Sequence, residues 1–291
     1  ISFIPGEGDT VMVLYPPADL RDKIPTGTVV TQINGEDARK HLDAEADTVW
    51  KEGGWFSSPQ RARLFAYRIP LKGEEGDEHT IHCLVRGREK KFKLACVHEA
   101  GGWAHSYNLP EDLQQSGRST FHAKLGSGVG YLYLRRVDSS VVPGIDEALT
   151  AHADAKGWIV DLRGNSGGGY DESLITRIEK FPRPVALLID AGCVSAGETL
   201  ARDFRTKAKA RIFGQLTAGS SSSKCRWSFP SGIATLSLPT RSRFRSDRKP
   251  IEFNGISPDE VVHPDPEDLQ EGRNTAIQRA EAWLGKRAGL E

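Results

Sequence analysis

Ser195 stands at the position in this chain that is best suited to nucleophilic chemistry. It follows the apolar run 185–189, which is typical of a buried strand, and precedes the helical pattern 196–206. At such a turn the serine hydroxyl projects outward, and the N–H of Ala196 at the helix start can stabilise a negatively charged oxygen. The same residues have the spacing of a helix capping box, because Glu198 follows Ser195 by three positions. The motif alone is compatible with both interpretations.

A glycine-rich turn, Arg-Gly-Asn-Ser-Gly-Gly-Gly at 163–169, follows a second strand pattern at 158–162. Glycines at the carboxyl end of a buried strand let several backbone N–H groups point the same way, which creates an anion-binding concavity. Neither of the glycine patterns that bind nucleotide phosphates, G-x-x-x-x-G-K-[ST] and G-x-G-x-x-G, occurs in this turn. The turn therefore either faces a developing oxyanion or is simply a tight loop.

A third segment, Glu252–Asp259, predicts a turn before an edge strand and gains meaning only beside the other two. Together, in this order, the segments resemble the C-terminal processing (tail-specific) peptidases and the tricorn core protease. Their motifs stand here as D-L-R-x-N-x-G-G at 161–168, S-A-x-E at 195–198, G-x-x-T-x-G at 214–219 and G-I-x-P-D at 255–259. The resemblance covers most of residues 131–262. It implies a serine peptidase that hydrolyses peptide bonds through an acyl-enzyme, with no metal or cofactor.

The resemblance also implies a role for each matching residue. Ser195 would attack the peptide carbonyl. The N–H of Ala196, with that of Gly167 or Gly168, would form the oxyanion hole. Glu252 stands at the position of the acid in the tricorn branch.

Two departures bear on the general base. Ser220 occupies the position at which the tail-specific branch carries its lysine, and Lys224 lies four residues further along. The resemblance therefore favours the tricorn-like branch, in which a histidine upstream of a PDZ module deprotonates the serine. Since the chain begins at or inside its own PDZ-like module, we expect that histidine to lie before Ile1. His105 and His122 are the alternatives nearest the site, although all eight histidines are expected to be exposed or capping.

The elements that must position these residues divide the chain in two. Residues 27–35 read G-x-V-V-x-x-I-N-G before a helical pattern, which resembles a PDZ core within a β-rich module. From residue 130 strands alternate with helices, which predicts a layered α/β domain. We therefore expect an α/β chain with an N-terminal PDZ-like domain at 1–100 and a crotonase/ClpP-like catalytic domain at 101–291.

Composition narrows the possible partners. Lys and Arg together number 39, as do Asp and Glu, so no overall basic field favours nucleic acid. No apolar run is long enough to span a bilayer. The four cysteines form no CxxC pair and no metal spacing, while a Cys193–Cys225 bridge remains open. We expect a peptide or unfolded-protein substrate and possible homo-oligomers, and the family resemblance favours an exported, periplasmic or extracellular protein.

Two other functions fit parts of the sequence. A non-catalytic peptide- or ligand-binding homologue is consistent with Ser220 at the lysine position. Acyl-CoA chemistry is a weaker option, because the crotonase fold shares the oxyanion hole but no segment suggests an adenine or pantetheine site.

Overall fold

The computed structural model describes residues 1–52, 56–97, 108–170, 172–182 and 184–288. Contacts between backbone positions divide the chain into two compact units. The first unit comprises Ile1–Leu109 and Val262–Gln278, and the second comprises Pro110–Val261 and Arg279–Glu291. Residues 262–278, which the sequence prediction assigned to the second domain, thus pack with the first unit. The architecture is mixed α/β, while the PDZ-like and crotonase-like assignments stay predictions.

The first unit contains an antiparallel sheet with strand order β1-β2-β3-β5-β6, and β4 pairs with β3. Its elements are β1 (Ser2–Pro5), β2 (Val11–Tyr15), β3 (Val29–Ile33), β4 (Glu36–Asp37), α1 (Ala38–Lys51), α2 (Pro59–Arg68), β5 (Glu78–Val85) and β6 (Arg88–Ala95). The predicted Asn-Gly turn forms after β3, with φ of 51° at Asn34 and 85° at Gly35. Helix α2 begins as predicted, with Ser58 accepting a hydrogen bond from Arg61 N–H and Pro59 in the first turn.

The second unit is built on a seven-stranded sheet with the order β15-β12-β11-β10-β9-β8-β7. Its elements up to β12 are β7 (Gln114–Gln115), β8 (Thr120–Lys124), β9 (Gly130–Leu134), α3 (Val141–Ala151), β10 (Trp158–Asp161), α4 (Glu172–Glu179), β11 (Val185–Ile189), α5 (Ala196–Thr206) and β12 (Arg211–Gly214). The later elements are β13 (Ser222–Ser228), β14 (Thr235–Ser242), β15 (Glu260–Val261), α6 (Pro266–Gln270) and α7 (Thr275–Ala288). Helix α6 belongs to the first unit, and α7 runs across the division between the units.

Strands β9, β10, β11, β12 and β15 form parallel pairs with one another, whereas β8 pairs antiparallel with both β9 and β7. Strands β9, β10 and β11 are buried along their whole length, as the apolar runs of a parallel sheet predict. Because the carboxyl ends of parallel strands meet at one edge, the loops after β10, β11 and β12 must lie together. The motifs at 161–168, 195–198 and 214–219 all lie at or next to these loops.

Several predicted elements differ from the structure. The helix expected at 144–155 runs from Val141 to Ala151. The strand expected at 233–238 is β14 (Thr235–Ser242), which pairs only with β13. This two-stranded ribbon is hereafter called the hairpin (residues 222–242). No helix among the described residues has the length and apolarity needed to cross a membrane.

Candidate active site

Ser195 lies at a strained turn between β11 and α5. Its φ of 56° and ψ of −120° fall outside the extended region that a helix N-cap normally adopts. A non-glycine residue with these angles is costly, and such strain is concentrated at functional sites. The side chain is partly accessible. The strand–strained turn–helix arrangement is that of a nucleophile elbow, although Glu198 does reach back to the Ser195 N–H as a capping box requires.

Glu198 is fully buried and ties this turn to the loop after β12. Its Oε1 accepts from the Thr217 hydroxyl at 2.6 Å and from the Gly219 N–H at 2.7 Å. Its Oε2 accepts from the Ser220 N–H at 2.8 Å and from the Ser195 N–H at 3.3 Å. Burial raises the pKa of Glu198 to about 7, although these hydrogen bonds lower it. The sequence pattern indicated only a capping role for Glu198, and its connection to 217–220 was not predicted.

Asn165 holds the glycine turn against Ser195. Its side-chain Nδ2 donates to the Leu134 carbonyl at 2.6 Å, and its Oδ1 accepts from the Gly167 N–H at 2.9 Å. Its backbone carbonyl accepts from the Val194 N–H at 3.0 Å. The buried Asn165 therefore connects β9, the glycine turn and the residue before Ser195.

Gly167 lies directly beside the candidate nucleophile. A Cβ added to it would be 2.7 Å from the Ser195 Cβ and 3.2 Å from the Ala196 nitrogen. Because the Gly167 N–H is bonded to Asn165, it is not directed at a ligand. The N–H of the next residue, Gly168, has a different direction. The Gly167 carbonyl accepts from the Val137 N–H, and the Gly169 N–H donates to the Val137 carbonyl. The Gly168 N–H between them therefore points away from Val137. Within the described residues, neither Gly168 nor Ala196 donates a backbone hydrogen bond.

Glu252 reaches the site through two serines and not directly. Its Oε2 accepts from the Ser221 N–H at 2.9 Å and from the Ser222 hydroxyl at 2.7 Å. The Ser221 hydroxyl in turn donates to the Ser195 carbonyl at 2.9 Å. Four of the five predicted site residues, Ser195, Ala196, Gly167 and Glu252, thus lie in one network of neighbours and hydrogen bonds. Gly168 is attached to it by the chain.

The candidate bases lie elsewhere. Lys224 is exposed on β13 of the hairpin. His122 on β8 is bonded to His152 and forms no hydrogen bond with Ser195. His105 lies outside the described residues. Neither Cys193, which is buried, nor Cys225, which is exposed, forms a disulfide, so the expected alternative of a bridge between them is wrong.

Comparison with known proteins relates this part of the chain to a family. A profile described as Peptidase family S41 matches residues 174–262, from helix α4 to the end of β15. Residues 174–262 are similar to peptidase family S41. The matched range contains Ser195, Glu198 and Glu252. It confirms the expected relationship to the C-terminal processing and tricorn peptidases and supports a peptidase function.

Two solved structures share the fold of this chain. Mature CPAF complexed with lactacystin is 12% identical with a TM-score of 0.68, covering 99% of this chain and 82% of that chain. A putative peptidase from Parabacteroides merdae ATCC 43184 is 20% identical with a TM-score of 0.53, covering 60% of this chain and 66% of that chain. The tricorn protease is also matched, at 16% identity and a TM-score of 0.46 over 29% of its chain. No curated protein sequence matches the chain.

Metal chemistry was not expected for an S41-like site. Among the described residues, no group of three or more His, Cys, Asp or Glu side chains is arranged to hold a metal ion.

Replacing Gly167 by Ala is expected to damage both the fold and the S41 site. Gly167 has a φ of 74°, and the new methyl group would collide with the Ser195 side chain. We expect the free energy of unfolding to fall by about 2 kcal/mol and activity to fall by about 100-fold. Gly169→Ala is the matched control, because a Cβ there meets nothing within 4 Å. Urea unfolding and peptide hydrolysis measure both effects, and equal behaviour of the two variants would contradict the prediction.

The interpretation of all eight histidines as exposed or capping is wrong for two of them. His122 and His152 are 1% and 9% exposed, and His122 Nδ1 lies 2.9 Å from His152 Nε2. They come together because β8 packs beside the end of α3, a contact between residues 30 positions apart. The sequence signal was weak, since His152 falls in a pattern that also fits a surface helix.

This histidine pair predicts an acid-sensitive fold. Burial lowers the pKa of both rings below the ordinary value of 6.5. The unfolded chain therefore binds protons near pH 6.5 while the folded rings remain neutral, so the free energy of unfolding should fall as the pH drops below about 6.5. Urea unfolding at pH 7.5 and 5.5 measures the loss. Replacing both rings by Gln should flatten the dependence, and an unchanged slope would count against the pair.

Proposed function

We propose that the chain is a serine peptidase that cleaves peptide bonds through an acyl-enzyme on Ser195. The observation that carries the proposal is the strained turn at Ser195. Gly167 lies close to the Ser195 Cβ, and among the described residues the Ala196 N–H donates no backbone hydrogen bond. A helix cap has no need of either feature. The similarity of residues 174–262 to peptidase family S41 supports the same chemistry.

The proposed reaction has two covalent stages. The Ser195 Oγ attacks the substrate carbonyl carbon, and its proton passes to the base and then to the leaving amine. Water then attacks the ester and releases the second product, and Ser195 regains its proton. In both stages the negative oxygen would be stabilised by the N–H groups of Ala196 and Gly168. We favour Gly168 over Gly167 as the second donor because Asn165 already accepts from the Gly167 N–H.

We propose a histidine as the base. Ser220 at the lysine position and the exposed Lys224 argue against a Ser–Lys dyad. The partly buried Glu252 is the proposed acid, and its bonds to Ser221 and Ser222 support a positioning role beside Ser195.

Labelling with a fluorophosphonate probe tests the nucleophile. The wild-type chain should be labelled at Ser195, as peptide mapping by mass spectrometry would show. Label on another serine, or labelling that survives Ser195→Ala, would remove Ser195 from the mechanism.

The alternative is a non-catalytic homologue that binds peptides in the same fold, which Ser220 at the lysine position favours. It predicts tight peptide binding without any probe labelling.

A further inference from the structure

The hairpin separates apolar from polar residues onto its two faces. Residues paired across β13 and β14 share a face of the ribbon. On one face Cys225 pairs with Leu238 and Trp227 pairs with Leu236. The Phe229 N–H donates to the Ala234 carbonyl, which adds Phe229 and Ala234 as the next pair on this face. We call these six residues the apolar face. The opposite side, the polar face, consists of Lys224, Arg226, Ser228, Thr235, Ser237 and Pro239.

The apolar face is open to solvent. Trp227 is 59% exposed, Phe229 52%, Leu236 43% and Leu238 42%. The exposed fraction of each of these four side chains is far above that of a core residue. A two-stranded ribbon that packs on nothing is marginally stable in water, so this face is suited to a partner that covers it.

The size of the face indicates the kind of partner. Since a fully buried aromatic side chain covers about 150–250 Å², the exposed fractions leave roughly 400 Å² of apolar surface. A stable protein–protein interface buries about 800 Å² per partner. The face is therefore too small to hold a second copy by itself, whereas an extended peptide matches it. Strand β13, at about 3.3 Å per residue, would lie along roughly seven residues of such a peptide.

The hairpin also begins at the candidate active site. Strand β13 starts at Ser222, whose hydroxyl bonds Glu252, and the preceding Ser221 hydroxyl bonds the Ser195 carbonyl. The strand that carries Trp227 therefore starts directly after a residue that contacts the Ser195 backbone. A β-bulge at Ser223/Lys224 lies at this junction, where bulges commonly redirect a strand.

We propose that the apolar face binds an extended, apolar segment of the polypeptide substrate and delivers the continuing chain to Ser195. The inference rests on the proposed peptidase function. Alternate side chains of the bound segment lie on Trp227, Leu236 and Leu238, so the chain prefers unfolded proteins with apolar stretches over short or polar peptides.

Peptide binding by the Ser195→Ala variant, which lacks the proposed nucleophile, tests the docking inference separately from catalysis. The probe is a fluorescein-labelled unstructured peptide of about twelve residues with Leu and Phe at alternate positions. Adding Trp227→Ser and Leu236→Ser should weaken its affinity at least about tenfold in fluorescence anisotropy. Arg226→Ser on the polar face is the matched control and should change affinity less than about twofold. In the Ser195-containing protein, the same double replacement should raise KM for an unfolded protein.

The outcomes separate the two ideas. No peptide binding by the parent, or equal affinity in parent and double variant, overturns the docking inference. A dimer that dissociates in the double variant while peptide affinity is unchanged also overturns it, because the face would then join two copies. Hairpin-dependent binding in a protein that never labels or cleaves would leave the inference standing and reject the peptidase function.

Discussion

Replacing Ser195 by Ala should lower kcat/KM for peptide hydrolysis by at least about three powers of ten. Alanine removes only the hydroxyl oxygen that would form the acyl-enzyme. The backbone network through the Ser195 N–H and carbonyl is retained. Stability should therefore change little. Steady-state kinetics and urea unfolding measure the two quantities on the same preparation.

The control for this variant is Ser173→Ala, on the exposed side of helix α4. It should keep wild-type kinetics, which would show that losing a serine hydroxyl near the active site is not harmful in general. A Ser195→Ala protein that retains more than about a tenth of wild-type activity would reject the acyl-enzyme mechanism.

Replacing Glu198 by Gln is expected to have the second-largest effect, a loss of about 100-fold in kcat/KM with about 2 kcal/mol or more of stability. Three of the four donors around its carboxylate are backbone N–H groups, and these cannot accept a hydrogen bond. In either orientation, the Gln NH2 would meet at least one N–H at a buried position. The turn at Ser195 and the loop 217–220 would separate. Glu172→Gln, an exposed residue at the start of α4, is the matched control.

The same carboxylate predicts a pH dependence. Because the pKa of Glu198 is raised to about 7, the folded protein takes up a proton at this group at a higher pH than the unfolded chain does. This group's contribution to the free energy of unfolding therefore falls as the pH rises from about 4.5 to about 7. Activity should move in the opposite direction, since only the ionised carboxylate accepts all four hydrogen bonds. The one partner able to accept instead, the Thr217 hydroxyl, already accepts from the Ile256 N–H.

We therefore expect wild-type kcat/KM to rise through about pH 7 even as the contribution of Glu198 itself to stability declines. The Glu198→Gln protein should lose that component of the profile, and any inflection that remains belongs to the base. A variant whose profile matches the wild type would exclude Glu198 as the source.

The sequence predicted the parallel strands and the loops after them well, because continuous apolar runs and glycine turns are local signals. Ser195, Ala196 and Glu252 could be chosen in the same way. The sequence could not show which glycine N–H is available to a ligand, because this depends on Asn165 accepting a hydrogen bond from Gly167 after the turn has folded. The role of Glu198 was hidden for a similar reason. Its partners at 217–220 are about twenty residues distant along the chain and come near only when β11 and β12 pair.

The hairpin was also missed, since its alternating apolar positions resemble a strand with one buried face, and the structure leaves that face open. The histidine pair shows the same limit from the opposite direction. A residue on an apparently exposed helix face became buried through a contact that no local pattern encodes.

The Glu198 network ends abruptly where the hairpin begins. Every backbone N–H and hydroxyl group of residues 217–222 that Glu198 or Glu252 engages lies before Lys224, where the exposed part of β13 begins. Substitutions or even length changes between 224 and 240 can therefore accumulate without disturbing the nucleophile. Grafting a different ribbon at this junction is accordingly a direct route to redirecting the chain toward other polypeptides while its chemistry is preserved.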